Sequence, residues 1–79
     1  MIRILFFGPM VEHVLQREMQ LEFQFGMRLK DVAETLQASY PEAFKIVCAT
    51  AVNQVQTRDM ELALADNDEV AFMAKFSGG

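Results

Sequence analysis

Between Met19 and Tyr40 the spacing of apolar residues changes from two to three or four, and this switch constrains the fold more than any other feature of the chain. Met19, Leu21, Phe23 and Phe25 alternate with Gln20, Glu22 and Gln24, the period of a strand with one buried face. Gly26 closes that run. Beyond it Leu29, Val32, Ala33, Leu36 and Tyr40 recur at helical steps, with Lys30, Asp31, Glu34 and Gln37 on the other side, which predicts an amphipathic helix of about three turns. Pro41 ends it, because its ring disfavours a helical conformation at Tyr40.

The flanking segments supply partners for this unit. Met1 to Phe7 is β-branched, aliphatic and aromatic and is bounded by Gly8-Pro9, so it reads as a central strand. Met10 to Glu18 suggests a short helix with Met10, Val14 and Leu15 on one side. Ile46–Ala49, Ala51–Asn53 and Val55–Thr57 read as short strands with turn-like residues at Asn53-Gln54 and Arg58-Asp59, and Leu62 and Leu64 dock a connecting segment on the core. Asp66-Asn67-Asp68 is a turn, with Asn67 as its left-handed residue. Glu69 to Met73 forms the last strand. The predicted architecture is α+β, a mixed sheet crossed by one main helix, in a single domain over residues 1–79 with 74–79 as an extended tail. Ile4, Leu21, Phe23, Val32, Leu36 and Val70 are its expected core.

Composition narrows the function. With 79 residues, 52% of them apolar, the chain builds one core, and seven Phe and six Met leave large side chains over for a partner surface. Eleven acids against seven bases give a net charge of −4, whereas phosphate neutralisation needs clustered Lys and Arg; nucleic acid is excluded as a partner. The acidity favours a basic or apolar protein surface instead. There is no basic leader before an apolar run and no stretch of the roughly 20 apolar residues that span a bilayer, so a cytoplasmic protein with no membrane role is expected.

Catalytic and metal-binding constellations are missing. His13 is the sole histidine and has no Ser or Cys placed with it for a dyad or triad, so it is read as a surface or partly packed imidazole. Cys48, the sole cysteine, excludes an intramolecular disulfide and a cysteine zinc site. Lying among Ile46, Val47 and Ala49, it is expected to be a small buried hydrophobe. Asp66, Asp68 and Glu69 do not make a calcium loop, since the sixth and twelfth positions counted from Asp66 hold Ala71 and Ser77 rather than Gly and Glu. What remains is Gly78-Gly79. A terminal residue without a side chain can thread a narrow channel and present an unhindered carboxylate, and an extended segment from Ala74 to Gly79 reaches about 20 Å.

Leu5-Phe6-Phe7-Gly8, Ala51-Val52-Asn53-Gln54, the run Leu64 to Phe72 and Ser77-Gly78-Gly79 together resemble the sulfur-carrier small subunits of molybdopterin synthase. The resemblance runs essentially end to end. It implies the ubiquitin-like β-grasp fold and a reactive Gly79 carboxylate, adenylated at the expense of ATP by an adenylyltransferase resembling ubiquitin-activating enzymes and then converted to a thiocarboxylate by a sulfur donor protein. Gly78 would let the tail thread into a large catalytic subunit, where the sulfur builds the dithiolene of molybdopterin. Phe7, Phe72, Met73, Lys75, Phe76 and Ser77 are the expected partner-binding residues. The resemblance implies no permanently bound cofactor, no metal, and no catalysis by the chain alone. Ala74-Lys75 stands where the family usually has Pro-Pro, Val11 where it often has Arg, and Asn67 where it usually has Gly. Two other readings share the fold: a thiamine-pathway sulfur carrier, and a β-grasp protein modifier or interaction module without sulfur chemistry.

Overall fold

A computed structural model describes residues 1–75. Strand β1 (Ile2–Phe7) is followed by α1 (Met10–Val14), β2 (Glu18–Leu21), α2 (Leu29–Ser39), α3 (Pro41–Phe44), β3 (Val47–Val52), β4 (Val55–Gln56) and β5 (Glu69–Ala74). The strands form one mixed sheet in the order β2-β1-β5-β3-β4, with β1 and β5 parallel at its centre and the other pairs antiparallel.

The helix forms where its period places it. The Arg28 N–H donates to Asp31 Oδ2 at 2.8 Å, and the Asp31 N–H returns a bond to the Arg28 carbonyl at 3.0 Å, so two otherwise orphaned groups of the first turn are satisfied reciprocally. At the other end Tyr40 is the cap and Pro41 opens α3. Leu29, Val32 and Leu36 of α2 are buried against Ile2, Ile4 and Phe6 of β1 and Val70 and Phe72 of β5, with Met10 and Val14 of α1 and Ala43 of α3 closing the rim. The central position of β1 follows from its apolar sequence. Asn67 takes φ +72° as expected, and Asn53 and Gln54 both take positive φ in the tight turn from β3 to β4.

Three expectations need correction. The alternation from Met19 to Phe25 gives a strand only as far as Leu21, because Leu21 pairs with Ile2, the first residue of β1, and a strand cannot continue without a neighbour. Phe23 then tucks half-buried against the core and Phe25 is fully exposed. Leu15 does not join the α1 face: it caps the helix in the left-handed region at φ +66° and is 82% exposed. Cys48 is exposed rather than buried. It sits at the register shift between Val47 and Ala49, where a bulge breaks the alternation that would have turned it inward.

Candidate functional site: the exit of the last strand

Among the described residues, no helix covers the side of the sheet away from the core. Parallel pairing aligns Phe7 with Met73 and Leu5 with Ala71, and β3 sets Ala49 beside Met73 and Ala51 beside Ala71. These residues alternate with Phe6, Phe72 and Val70, whose side chains enter the core. The open face is therefore apolar around the C-terminal end of β5, where Phe7 is 49% exposed and Met73 is half-buried. Its opposite end is charged. There Arg3 lies between Glu18 and Glu69, with nitrogen–oxygen distances of 3.1 and 3.3 Å, and the hydrogen bond and charge of Glu18 hold its guanidinium more firmly protonated.

The exit itself is fixed by Gly8. This residue has φ +68°, and a Cβ added to it would lie 2.5 Å from the carbonyl oxygen of Ala74, a distance no side chain tolerates. Both the left-handed backbone and the close approach require glycine here. The β1–α1 turn thus presses against the last residue of β5. Lys75 follows, exposed. Beside Gly8 runs an open groove of about 550 Å³ whose lining includes Leu5, Phe7, Val11 and Arg17.

Of the expected partner-binding residues, Phe7, Met73 and Lys75 gather at this exit. Phe72 does not: it is 1% exposed, its ring packed edge-on to Phe44 at 5.0 Å and stacked near Phe6 at 6.4 Å. It is a core residue, because the period of two that exposes Met73 must bury its neighbour. Phe76, Ser77, Gly78 and Gly79 lie outside the described residues. Ala74, assigned to the tail, continues β5 instead. Leu5, absent from the expected residues, shares the open face with Phe7, since it stands two positions back along the strand. His13 is exposed on α1, and among the described residues no group of His, Cys, Asp and Glu is placed to hold a metal ion. None of the described helices is long and apolar enough to cross a membrane.

The sequence profile of the ThiS family matches residues 4–79, through the exit strand to the final glycine. The chain belongs to the ThiS family. It is a ubiquitin-like sulfur carrier. No curated protein matches it by sequence. Among solved structures it resembles, at 23% identity and a TM-score of 0.73, one in a complex of subunits 1 and 2 of the molybdopterin-converting factor from Helicobacter pylori, with 99% of this chain and 97% of that one covered. It also resembles the small archaeal modifier protein 1 of Methanosarcina acetivorans, at 22% identity and a TM-score of 0.79 over 99% and 95% of the two chains. Urm1 of Trypanosoma brucei is similar at 22% identity and a TM-score of 0.78, covering 99% and 94%. These likenesses establish the β-grasp fold of the ThiS-family chain.

Proposed function

We propose that this ThiS-family chain is the sulfur-carrying small subunit of a cytoplasmic molybdopterin synthase. A carboxylate is a poor acyl electrophile. In the proposed cycle a Gly79 carboxylate oxygen attacks the α-phosphorus of ATP on an adenylyltransferase and pyrophosphate leaves. A sulfur donor protein then releases hydrosulfide, which attacks the acyl carbon; AMP departs with the oxygen, and loss of the thiol proton leaves a thiocarboxylate. The large subunit takes up the tail, with Gly78 offering no side chain to obstruct it, and the sulfur is transferred to cyclic pyranopterin monophosphate while water cleaves the acyl–sulfur bond and returns Gly79 as a carboxylate. Catalytic side chains come from the partners. Phe7, Met73 and Lys75 form the docking surface at the strand exit, continued by Phe76 and Ser77.

The observation that carries this reading is the set of four segments in order, Leu5 to Gly8, Ala51 to Gln54, Leu64 to Phe72 and Ser77 to Gly79, within a family match that reaches residue 79. The fold shared with a subunit of the Helicobacter pylori complex supports it. The family match equally supports a thiamine-pathway carrier, and the likeness to the archaeal modifier supports a protein-modifying role. Co-purification separates the three. A large molybdopterin synthase subunit held by the native chain, and lost from Phe7→Ala, is the expected result; a thiazole synthase in its place establishes the second reading, and covalent conjugates through Gly79 the third.

A further inference from the structure

Among the described residues, nothing pairs with the outer edge of β2. The Phe6 N–H donates to the Arg17 carbonyl at 2.9 Å, and the same register pairs Ile4 with Met19 and Ile2 with Leu21. Hydrogen-bonded and non-hydrogen-bonded pairs alternate along an antiparallel ladder, so Arg17, Met19 and Leu21 turn their backbone groups toward β1. Glu18 and Gln20 turn theirs outward, at the end of the strand order.

Beside that edge, between β2 and α2, lies a groove of about 460 Å³. Leu21, Met27 and Phe25 give it apolar surface, Glu22 and Asp31 give it negative charge, and no Lys or Arg lines it. The cations nearest in sequence are engaged elsewhere: Arg28 donates to the Glu61 carbonyl at 2.6 Å, and Lys30 pairs with Glu61 at 3.2 Å. Phe25 stands on the rim fully exposed.

We propose that β2 accepts an extended segment of another protein as an added edge strand, with alternate apolar side chains over Leu21 and Met27 and with Lys or Arg flanking them opposite Glu18 and Glu22. Main-chain hydrogen bonds to Glu18 and Gln20 supply affinity, and the groove selects the alternate side chains. A second copy of the chain fits poorly. Antiparallel self-pairing about Gln20 sets Glu18 opposite Glu22 of the copy, and like charges directly opposite destabilise a pair. The edge is separated from the exit strand β5 by β1, so this surface is independent of the tail chemistry.

The test is a titration of the ¹⁵N-labelled full chain with the capped peptide Arg-Val-Thr-Val-Arg, followed by amide shifts and hydrogen exchange. Shifts at residues 18–27 and 31–35, new protection of the Glu18 and Gln20 amides, and about tenfold weaker binding of Glu-Val-Thr-Val-Glu are expected. Gln20→Pro removes only an outward N–H, which an edge strand tolerates, and should abolish binding while leaving the amide shifts of β5 in place. Glu22→Lys, outside the strand, leaves one acid and one base facing the peptide's ends and should erase the preference that the native chain shows between the two peptides. Shifts on the Phe7–Met73 face instead, equal affinity of the native chain for both peptides, no shifts at millimolar peptide, or dimerisation through β2 in the absence of peptide would each overturn the proposal.

Discussion

Replacing Gly8 with Ala tests how tightly the β1–α1 turn controls the exit of β5, and Gly26 provides an internal control. Both glycines have positive φ, +68° and +85°, but an added Cβ meets nothing within 4 Å at Gly26 and meets the Ala74 carbonyl oxygen at 2.5 Å at Gly8. An Ala in the left-handed region costs about 1–2 kcal/mol, offset by about 0.4–1 kcal/mol from the lower entropy of the unfolded chain. Gly26→Ala should therefore cost about 0–1.6 kcal/mol. Gly8→Ala carries the same backbone terms and must also displace a backbone carbonyl, which adds about 1–3 kcal/mol as overpacking does. That is a large fraction of the roughly 4–12 kcal/mol expected for a domain of this size. With no Trp in the chain, urea unfolding is best followed by far-UV circular dichroism. The predicted gap between the two variants is about 1–3 kcal/mol, or at least about 4 °C in Tm. Equal destabilisation of both would refute the contact between Gly8 and Ala74 as the constraint on the exit.

Phe72→Ala should cost about 3–5 kcal/mol, as expected for a buried aromatic, whereas Phe7→Ala, at a half-exposed position, should cost under about 1 kcal/mol; paired urea curves check the assignment of one ring to the core and the other to the surface. Asp66 is bonded to the Met1 ammonium group, whose hydrogen bond lowers the carboxyl pKa below the usual value. Its contribution to stability is present above the unfolded-state pKa and disappears as pH falls through the lowered folded-state value. Tm of the native chain should accordingly fall more than that of Asp66→Asn between neutral pH and the acid range, and high salt should narrow the difference. Cys48 should react with a thiol reagent in the folded protein at a rate close to that in the unfolded chain, since it is exposed; slow, unfolding-limited labelling would contradict its position.

The sequence carried the fold through features that are local. The helical period from Leu29 to Tyr40, the stop at Pro41, the left-handed Asn67 and the apolar β1 all appear where the spacing puts them, because each depends on neighbours a few residues away. The errors have a common cause in pairing, which is not local. Phe23 and Phe25 alternate like strand residues, but β1 starts at Ile2, and Met1 before it bonds to Asp66 and Asn67 rather than extending the pairing with β2. Cys48 lies within an apolar run, yet the bulge in β3 rotates it out, and no residue type at that point announces a bulge. Phe72 and Met73 were both assigned to the surface, although adjacent strand residues face opposite ways and only one of them belongs there. At the site, Phe7, Met73 and Lys75 are expected from the family resemblance alone; the parallel pairing of β1 with β5 that sets Phe7 beside Met73, and the steric role of Gly8 against Ala74, emerge only from the packed structure.

The proposed function depends on sulfur being carried by Gly79. Its most direct test is the intact mass of the native chain incubated with its adenylyltransferase, ATP and a sulfur donor. One oxygen-to-sulfur exchange, localised by fragmentation to Gly79 and absent when Gly79 is deleted, is the predicted result. An unchanged mass after full adenylation, or sulfur found on Cys48 instead, would contradict it.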